Sequence, residues 1–253
     1  MHTPQPDSGN PERVNMGPGT DLTAGVLGGL GPEATVDFMA KVIAATDASC
    51  DQDHIRLLID HNPKVPNRNQ ALAGETPSVG PELAAMAQRL EQAGADFLVM
   101  VCNTAHAYSD DIRAAISIPF VSIIDVVMDE LSTHSASRVG IMAAQGCLQA
   151  QLYQQALIQA NCEPVVWSDA ELATFMELVY RIKAGERDAD ISSAIEKLAA
   201  SLAFSGADLL ISGCTEIPLF MGADNSPLPL LSSTDLLVAR TIALARQQLP
   251  LTS

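Results

Sequence analysis

The sequence contains an internal repeat, and this repeat constrains the fold more than any other feature. The segment GADFLVMVC at Gly94–Cys102 returns as GADLLISGC at Gly206–Cys214, an offset of 112 residues. The later segment IPFVSIID returns as LPLLSSTD after 110 residues. Around Gly25 and Gly140 a third pair of similar segments lies at an offset of 115. Three blocks in the same order at nearly constant spacing indicate that a structural unit has been duplicated.

Within each unit, short apolar runs alternate with helical patterns. The five apolar residues 97–101 are typical of a buried strand, and the amphipathic segment before them ends at Gly94, a residue suited to a helix C-terminus. Such alternation favours a parallel sheet covered on both faces. We therefore predict an α/β protein of two pseudo-symmetric doubly wound domains, each with a mainly parallel sheet, and an active site in the cleft between them.

The repeat also sets the expected domain boundaries. Residues 21–121 together with the last helical segment, 233–253, are predicted to form the first domain, and residues 122–232 the second. The first twenty residues contain four prolines and three glycines without apolar periodicity, and they are predicted to be a flexible tail.

Charge and hydropathy exclude several classes of function. The formal net charge is −16, and so acidic a surface does not bind nucleic-acid phosphates broadly or approach an anionic membrane. No apolar run reaches the roughly 18 residues that a membrane span requires. We therefore expect neither a nucleic acid nor a membrane as a partner.

Five cysteines are spread widely along the chain without a C-x-x-C pair, which argues against a disulfide framework or a metal site. The sequence shows no signal peptide, and we expect free thiols in a reducing cytoplasm. Cys102 and Cys214 each end one copy of the repeated block. Since ligands of parallel sheets bind beyond the carboxyl ends of the strands, the two thiols are predicted to face one cleft from opposite sides.

Two equivalent groups on opposite faces of one molecule suit the inversion of a carbon centre. One group removes a proton from one face, and the other delivers a proton to the opposite face. Both cysteines lie at predicted strand-to-helix junctions, where a helix N-terminus favours the thiolate. Their neighbours Asn103 and Thr215 can donate hydrogen bonds to a carboxylate that gains charge as its α-carbon is deprotonated.

Several motifs give the chain a specific resemblance over nearly its whole length after residue 20. The motifs, in order, are GVLGGLGPEAT, VPNR, GADFLVMVCNTAH, IKAG and GADLLISGCTE. Together they resemble the pyridoxal-phosphate-independent aspartate racemases of the aspartate/glutamate racemase superfamily. Dedicated glutamate racemases are less similar, since they typically have His after the second Cys-Thr, where this chain has Glu216.

The resemblance implies the following roles. Cys102 and Cys214 are the two acid/base residues, serving the D- and the L-enantiomer respectively. The substrate-binding residues that it implies are Leu30, Arg68, Asn103, Thr104, Lys183, Thr215 and Glu216. Arg68 and Lys183 would hold the carboxylates of an amino dicarboxylate, aspartate or also glutamate. The family also implies a homodimer that needs no cofactor. Cys147 departs from the pattern, because a Thr is common there.

Other interpretations stay open on the sequence. Gly29, Gly31 and Ala34 fit a G-x-G-x-x-A dinucleotide loop, although Pro32 removes one amide that such a loop would use. Cys102 and His106 have the i, i+4 spacing of a Cys–His hydrolase pair. Within the superfamily, an isomerase or decarboxylase of another small acid is an alternative, and so is a non-catalytic protein that binds acidic amino acids.

Overall fold

Two four-stranded parallel sheets form the frame of the structure, a computed structural model that describes residues 21–251. The predicted tail, residues 1–20, lies outside the described residues. The strands are β1 Ala24–Gly28, β2 Leu57–His61, β3 Phe97–Met100, β4 Phe120–Val121, β5 Arg138–Ala143, β6 Glu163–Val165, β7 Leu209–Gly213 and β8 Leu230–Ser232. The helices are α1 Pro32–Ala45, α2 Arg68–Leu72, α3 Gly80–Gln92, α4 Ser109–Ala115, α5 Ile123–Leu131, α6 Gln145–Gln149, α7 Leu152–Gln159, α8 Asp169–Lys183, α9 Ala189–Phe204 and α10 Ser233–Ala245.

The two sheets have the same topology. The strand order is β2-β1-β3-β4 in the first and β6-β5-β7-β8 in the second, with every neighbouring pair parallel. Gly25 pairs with Leu98 in the first sheet, and Gly140 pairs with Leu210 in the second, so the register is repeated as well. The predicted duplicated α/β architecture is thereby confirmed.

The repeated Gly-Ala-Asp segment has a structural reason in both halves. Gly94 and Gly206 end α3 and α9 with φ angles of 95° and 92°, a left-handed conformation that favours glycine. Asp96 and Asp208 then accept hydrogen bonds from the main-chain amides just before β1 and β5, at 2.8 and 2.9 Å. Each aspartate thus fixes the central strand pair of its own sheet.

The second repeated block begins a helix in each half. Ser122 and Ser232 are the N-caps of α5 and α10, and their hydroxyls accept hydrogen bonds from the amides of Asp125 and Asp235 at 3.2 and 3.3 Å. Helix α10 packs against both α1 and α5. The last helix therefore contacts both halves, whereas the sequence predicted its packing on the first alone.

One apolar core extends across the two sheets. Val26 and Val99 of the first sheet and Ile141 and Ile211 of the second belong to a single buried cluster, together with side chains of α5 and α10. The two halves consequently share this core, and each also has a buried apolar cluster of its own on the other face of its sheet. The division at residues 121/122 and 232/233 stays a prediction.

Three further findings limit what the fold can host. No helix between residues 21 and 251 is long and apolar enough to cross a membrane. Within that range, no group of three His, Cys, Asp or Glu side chains comes together to hold a metal ion. All five cysteines are free thiols.

Candidate active site

The two repeated cysteines line one cavity, together with most of the residues that the resemblance implied. The cavity has a volume of about 20 Å³. It is lined by Arg68, Asn69, Cys102, Asn103, Thr104, Ala144, Val179, Lys183, Gly213, Cys214, Thr215 and Glu216. Since one water needs roughly 10–15 Å³, the cavity has room for about one water. An amino acid can bind only if some of these side chains move.

The strands position both thiols. Cys214 directly follows β7, and Cys102 follows β3 after one residue, so each lies at the carboxyl end of a central strand. The side chains are almost fully buried, with 8% of Cys102 and 6% of Cys214 exposed. Cys147, in contrast, is fully buried in the apolar core, and it is not among the residues that line the cavity.

The expected helix N-termini after the cysteines are absent from this part of the described chain. Each cysteine is followed by a short 3-10 turn, Thr104–Tyr108 after Cys102 and Ile217–Leu219 after Cys214. Burial raises the pKa of the Cys214 thiol well above its usual value, and the neighbouring Glu216 carboxylate raises it further. The prediction that the position of Cys214 favours its thiolate was therefore wrong for the ligand-free protein.

Glu216 lies at the centre of the site. Its Oε2 accepts hydrogen bonds from the Cys214 thiol at 3.1 Å and from the Thr215 hydroxyl at 3.3 Å. Its Oε1 lies 3.0 Å from Lys183 Nζ. Burial alone would raise the pKa of this carboxyl, but the Lys183 ammonium brings it below its usual value. Burial likewise opposes the charge on Lys183, whose pKa is nevertheless raised, with Glu216 as the main cause. The buried carboxylate of Glu216 and the partly exposed ammonium of Lys183 are therefore both charged and compensate each other.

Arg68 holds the loop that follows β1. Its guanidinium donates to the main-chain carbonyls of Leu30, Val65 and Pro66, the latter two at 3.1 and 2.9 Å. No protein acceptor among residues 21–251 lies within hydrogen-bonding distance of its buried Nε. Arg68 thus lines the cavity with one unused N–H, which is available to an acceptor on a ligand.

A chain of hydrogen bonds fixes Asn103 beside Cys102. The Tyr153 hydroxyl donates to Asn103 Oδ1 at 2.6 Å, and Asn103 Nδ2 donates to the Ser233 hydroxyl at 3.0 Å. The Tyr153 ring packs so closely on Gly213 that a Cβ there would lie 2.8 Å from it. Tyr153 therefore touches the residue after one cysteine and the residue before the other.

His106 is a structural residue here. Its Nε2 accepts the amide of Ile123 at 3.0 Å, so its Nδ1 carries the proton and donates to the Cys102 carbonyl at 2.8 Å. Burial lowers the pKa of His106 to about 4, which keeps the ring neutral. Because the ring contacts the carbonyl of Cys102, the geometry does not support a Cys–His nucleophile pair.

The side chains from the two halves also meet around the mouth of the site. Asn69 Oδ1 of α2 accepts the Gly146 amide of α6 at 2.8 Å, and Asn67 Nδ2 donates to the Tyr180 hydroxyl of α8 at 3.2 Å. Glu33 of α1 pairs with Arg187 after α8. These contacts join the two halves beside the site.

The sequence identified most of the lining and missed part of it. Leu30 is not in the lining, since its side chain is buried in the core and only its carbonyl contacts Arg68, so its role in binding stays a prediction. The lining residues that sequence reasoning missed are Asn69, Ala144, Val179 and Gly213. Val179 lies in the middle of an amphipathic helix, and nothing in the sequence distinguishes it from the core residues beside it.

Comparisons with known proteins agree with this geometry. A model of the family described as Asp/Glu/Hydantoin racemase matches residues 27–241. The aspartate racemase of Picrophilus torridus superposes with a TM-score of 0.77 at 26% identity, over 88% of this chain and 94% of that one. A broad specificity amino-acid racemase of Bacillus subtilis, RacX, is 26% identical over 223 residues, which are 87% of this chain and 96% of that protein.

A third relative shows the fold alone. An aspartate racemase homologue from Pyrococcus horikoshii has a TM-score of 0.72 at 23% identity, over 88% of this chain and 98% of that one. The family match spans far more than half of the 253 residues and includes both cysteines. The protein is an amino-acid racemase, an isomerase that acts on small substrates, and it belongs to the Asp/Glu/hydantoin racemase family.

Proposed function

We propose that this protein racemises an acidic amino acid, aspartate or also glutamate, without a cofactor, using Cys102 and Cys214 as a thiolate/thiol pair. The observation that carries the proposal is the cavity that both thiols line from equivalent strand ends of a duplicated fold. The Picrophilus neighbour, named as an aspartate racemase, supports the choice of substrate.

The proposed reaction moves two protons and needs no oxidant. One cysteine, as thiolate, takes the α-proton and becomes a thiol, while the electron pair of the broken C–H bond delocalises into the α-carboxylate. The opposite thiol then gives its proton to the other face of the planar carbon and becomes the thiolate. Asn103, Thr104 and Thr215 are the hydrogen-bond donors proposed for the charged carboxylate.

The protonation of the ligand-free site indicates which thiol acts first as the acid. Because burial and Glu216 raise the pKa of Cys214, that side chain is a thiol and is ready to deliver a proton. In this state Cys102 is the residue that must act as the base, the assignment that the resemblance makes for the D-enantiomer. For the opposite direction Cys214 must be the thiolate and Cys102 the thiol, which is the state that turnover of the first enantiomer leaves behind.

Two cations in the lining suit a dicarboxylate. Arg68 offers its unused Nε–H, and Lys183 offers an ammonium that is now paired with Glu216. A carboxylate on the substrate would compete with Glu216 for Lys183, which makes opening of this pair part of binding. This requirement also explains how a cavity of about 20 Å³ can accept a molecule larger than water.

The direct test is racemisation of L- and D-aspartate in deuterated water, followed by chiral chromatography and by NMR of the α-proton. Cys102→Ala and Cys214→Ala should each lose about 10²-fold or more of the activity, the usual contribution of a positioned acid or base. Cys50→Ala is the control for removal of a thiol, because Cys50 is exposed and does not line the cavity, and it should keep the activity. Full activity in either of the first two variants would refute the two-thiol mechanism.

The same experiment separates the alternatives. A binding protein would bind aspartate without exchanging its α-proton. An isomerase or decarboxylase of another small acid would show no aspartate racemisation and would convert maleate or a substituted malonate instead.

We also propose that the enzyme is a cytoplasmic homodimer. The five free thiols fit a reducing compartment. On α1, the side chains of Val36, Met39 and Ile43 form an exposed apolar stripe at helical spacing, 61%, 36% and 57% exposed, which a second copy could cover. Light scattering of the wild type and of a Val36→Glu, Ile43→Glu double variant tests this, and a monomeric wild type would contradict it.

A further inference from the structure

A second cavity adjoins the site. It measures about 80 Å³ and shares Lys183 and Glu216 with the cavity that both cysteines line. Its other lining residues are Gly31, Pro32, Glu33, Ala34 and Ile182. We propose that this second cavity is a side-chain subsite for neutral, unbranched amino acids longer than aspartate, of which methionine and glutamine are examples. This inference rests on the proposed racemase function.

The two cavities differ in size in the way that this assignment requires. The cavity that both thiols line holds about one water, and the groups that bind the amino and carboxylate parts of a substrate line it, which leaves no space there for a longer side chain. The second cavity, at about 80 Å³, has space for roughly five water-sized groups at about 15 Å³ each. An unbranched side chain such as that of methionine adds three heavy atoms beyond Cβ, and the second cavity is large enough to take them.

The Lys183–Glu216 ion pair separates the two cavities. Both side chains line both cavities, and their charged atoms are 3.0 Å apart. The loop after β1 closes the partition from the other side, since a Cβ on Gly31 would lie 2.7 Å from Glu216 Oε1. Arg68 fixes this loop through the Leu30 carbonyl. A small displacement of the ion pair would therefore join the cavities into one.

The chemistry of the lining favours a neutral side chain. Ala34 and Ile182 present apolar surface and are 1% and 2% exposed, and Pro32 adds to it. Lys183 and Glu216 compensate each other, and Glu33 is paired with Arg187, so the lining has no net positive charge to attract an anion. The side-chain carboxylate of an acidic substrate can be neutralised only if the Lys183–Glu216 pair breaks. A thioether or an amide side chain can enter the second cavity while the two charges stay close together.

Two substitutions test the subsite in opposite directions. Gly31→Ala puts a methyl group against Glu216 in the passage, and the extended backbone of Gly31, at φ −158°, accepts alanine without strain. We expect it to lower the ratio of kcat/KM for methionine to kcat/KM for aspartate about tenfold or more, the usual effect of one methylene-sized change in an apolar pocket. Ile182→Ala enlarges the cavity and should move the optimum in the series norvaline, norleucine, 2-aminoheptanoate towards a longer member.

Ratios between substrates keep the test independent of folding, because a poorly folded variant loses activity on every substrate together. Gly222→Ala is the control for a glycine substitution, since none of the described residues comes within 4 Å of the added methyl group. It should leave the ratio unchanged.

The outcomes are distinct. If the wild-type enzyme racemises aspartate but neither methionine nor glutamine, the proposed subsite is refuted and the proposed function stands. If methionine is racemised and Gly31→Ala leaves the ratio unchanged, the second cavity is not where its side chain binds. If no amino acid exchanges its α-proton, the proposed function fails first.

Discussion

Replacing Glu216 by glutamine should make the Cys214 thiol more reactive. The change removes one negative charge 3.1 Å from Cys214 Sγ and keeps the side-chain shape. At an effective dielectric constant of about 20, two charges at this distance repel by roughly 5 kcal/mol. The Lys183 ammonium, 3.0 Å from the other carboxylate oxygen, offsets much of that repulsion. A residual of about 1 to 3 kcal/mol would raise the thiolate fraction at a given pH roughly 10- to 100-fold.

The assay is alkylation by iodoacetamide from pH 6 to 10, with the Cys214 peptide quantified by mass spectrometry. In the Glu216→Gln variant the reactivity of Cys214 should rise at lower pH than in the wild type. Glu33→Gln, which also removes a carboxylate from an ion pair near the site, is the control and should leave the profile in place. Circular dichroism confirms that both variants are folded. An unchanged profile for folded Glu216→Gln would show that this carboxylate does not set the protonation of Cys214.

Three other predictions concern the scaffold and the cation. Burial lowers the pKa of His106 to about 4, below the value of about 6.5 in the unfolded chain. The free energy of unfolding should therefore be highest above pH 6.5 and fall by roughly 3 kcal/mol as the pH drops to 4. His106→Gln should reduce this pH dependence in urea titrations. Gly140→Ala should cost about 1 to 3 kcal/mol of stability, because its methyl group would lie 2.6 Å from a Leu210 carbon, and equal unfolding midpoints for this variant and Gly222→Ala would contradict that packing. Arg68→Lys should raise KM for aspartate about tenfold or more, since lysine cannot hold the loop carbonyls and a carboxylate together, and an unchanged KM would exclude Arg68 from binding.

The repeat explains why the fold could be predicted well. Offsets of 110 to 115 residues correspond to equivalent strands and helix caps. Gly25 and Gly140 therefore have equivalent strand partners in the two halves, and Asp96 and Asp208 accept equivalent hydrogen bonds. Local interactions such as a helix-ending glycine leave a local signal in the sequence. The position of Cys102 and Cys214 at equivalent strand ends followed from the same logic.

The sequence did not predict contacts between residues that are far apart in the chain. Lys183 and Glu216 are 33 positions apart, and no pattern indicated that the first would pair with the second before any substrate is bound. Tyr153 contacts Asn103 across 50 positions, and in the sequence it is one more residue of a short helix. The 3-10 turns after the cysteines also escaped prediction, because a turn of three to five residues has too few positions to show a period.

The two halves have the same topology but differ in the residues beside their cysteines. Thermodynamics limits the effect that this difference can have on catalysis. Two residues after Cys214 comes Glu216, whereas Thr104 takes the matching place after Cys102, so the two thiols have different electrostatic surroundings. L- and D-aspartate nevertheless have equal free energy in water, so an enzyme that interconverts them must have equal kcat/KM in the two directions at every pH. Any difference between the two kcat values must therefore be matched by an equal ratio between the two KM values. Glu216→Gln should bring the two kcat values closer to each other and the two KM values equally closer. Unchanged kcat and KM ratios in a folded Glu216→Gln variant would show that Glu216 does not act through the proton of Cys214.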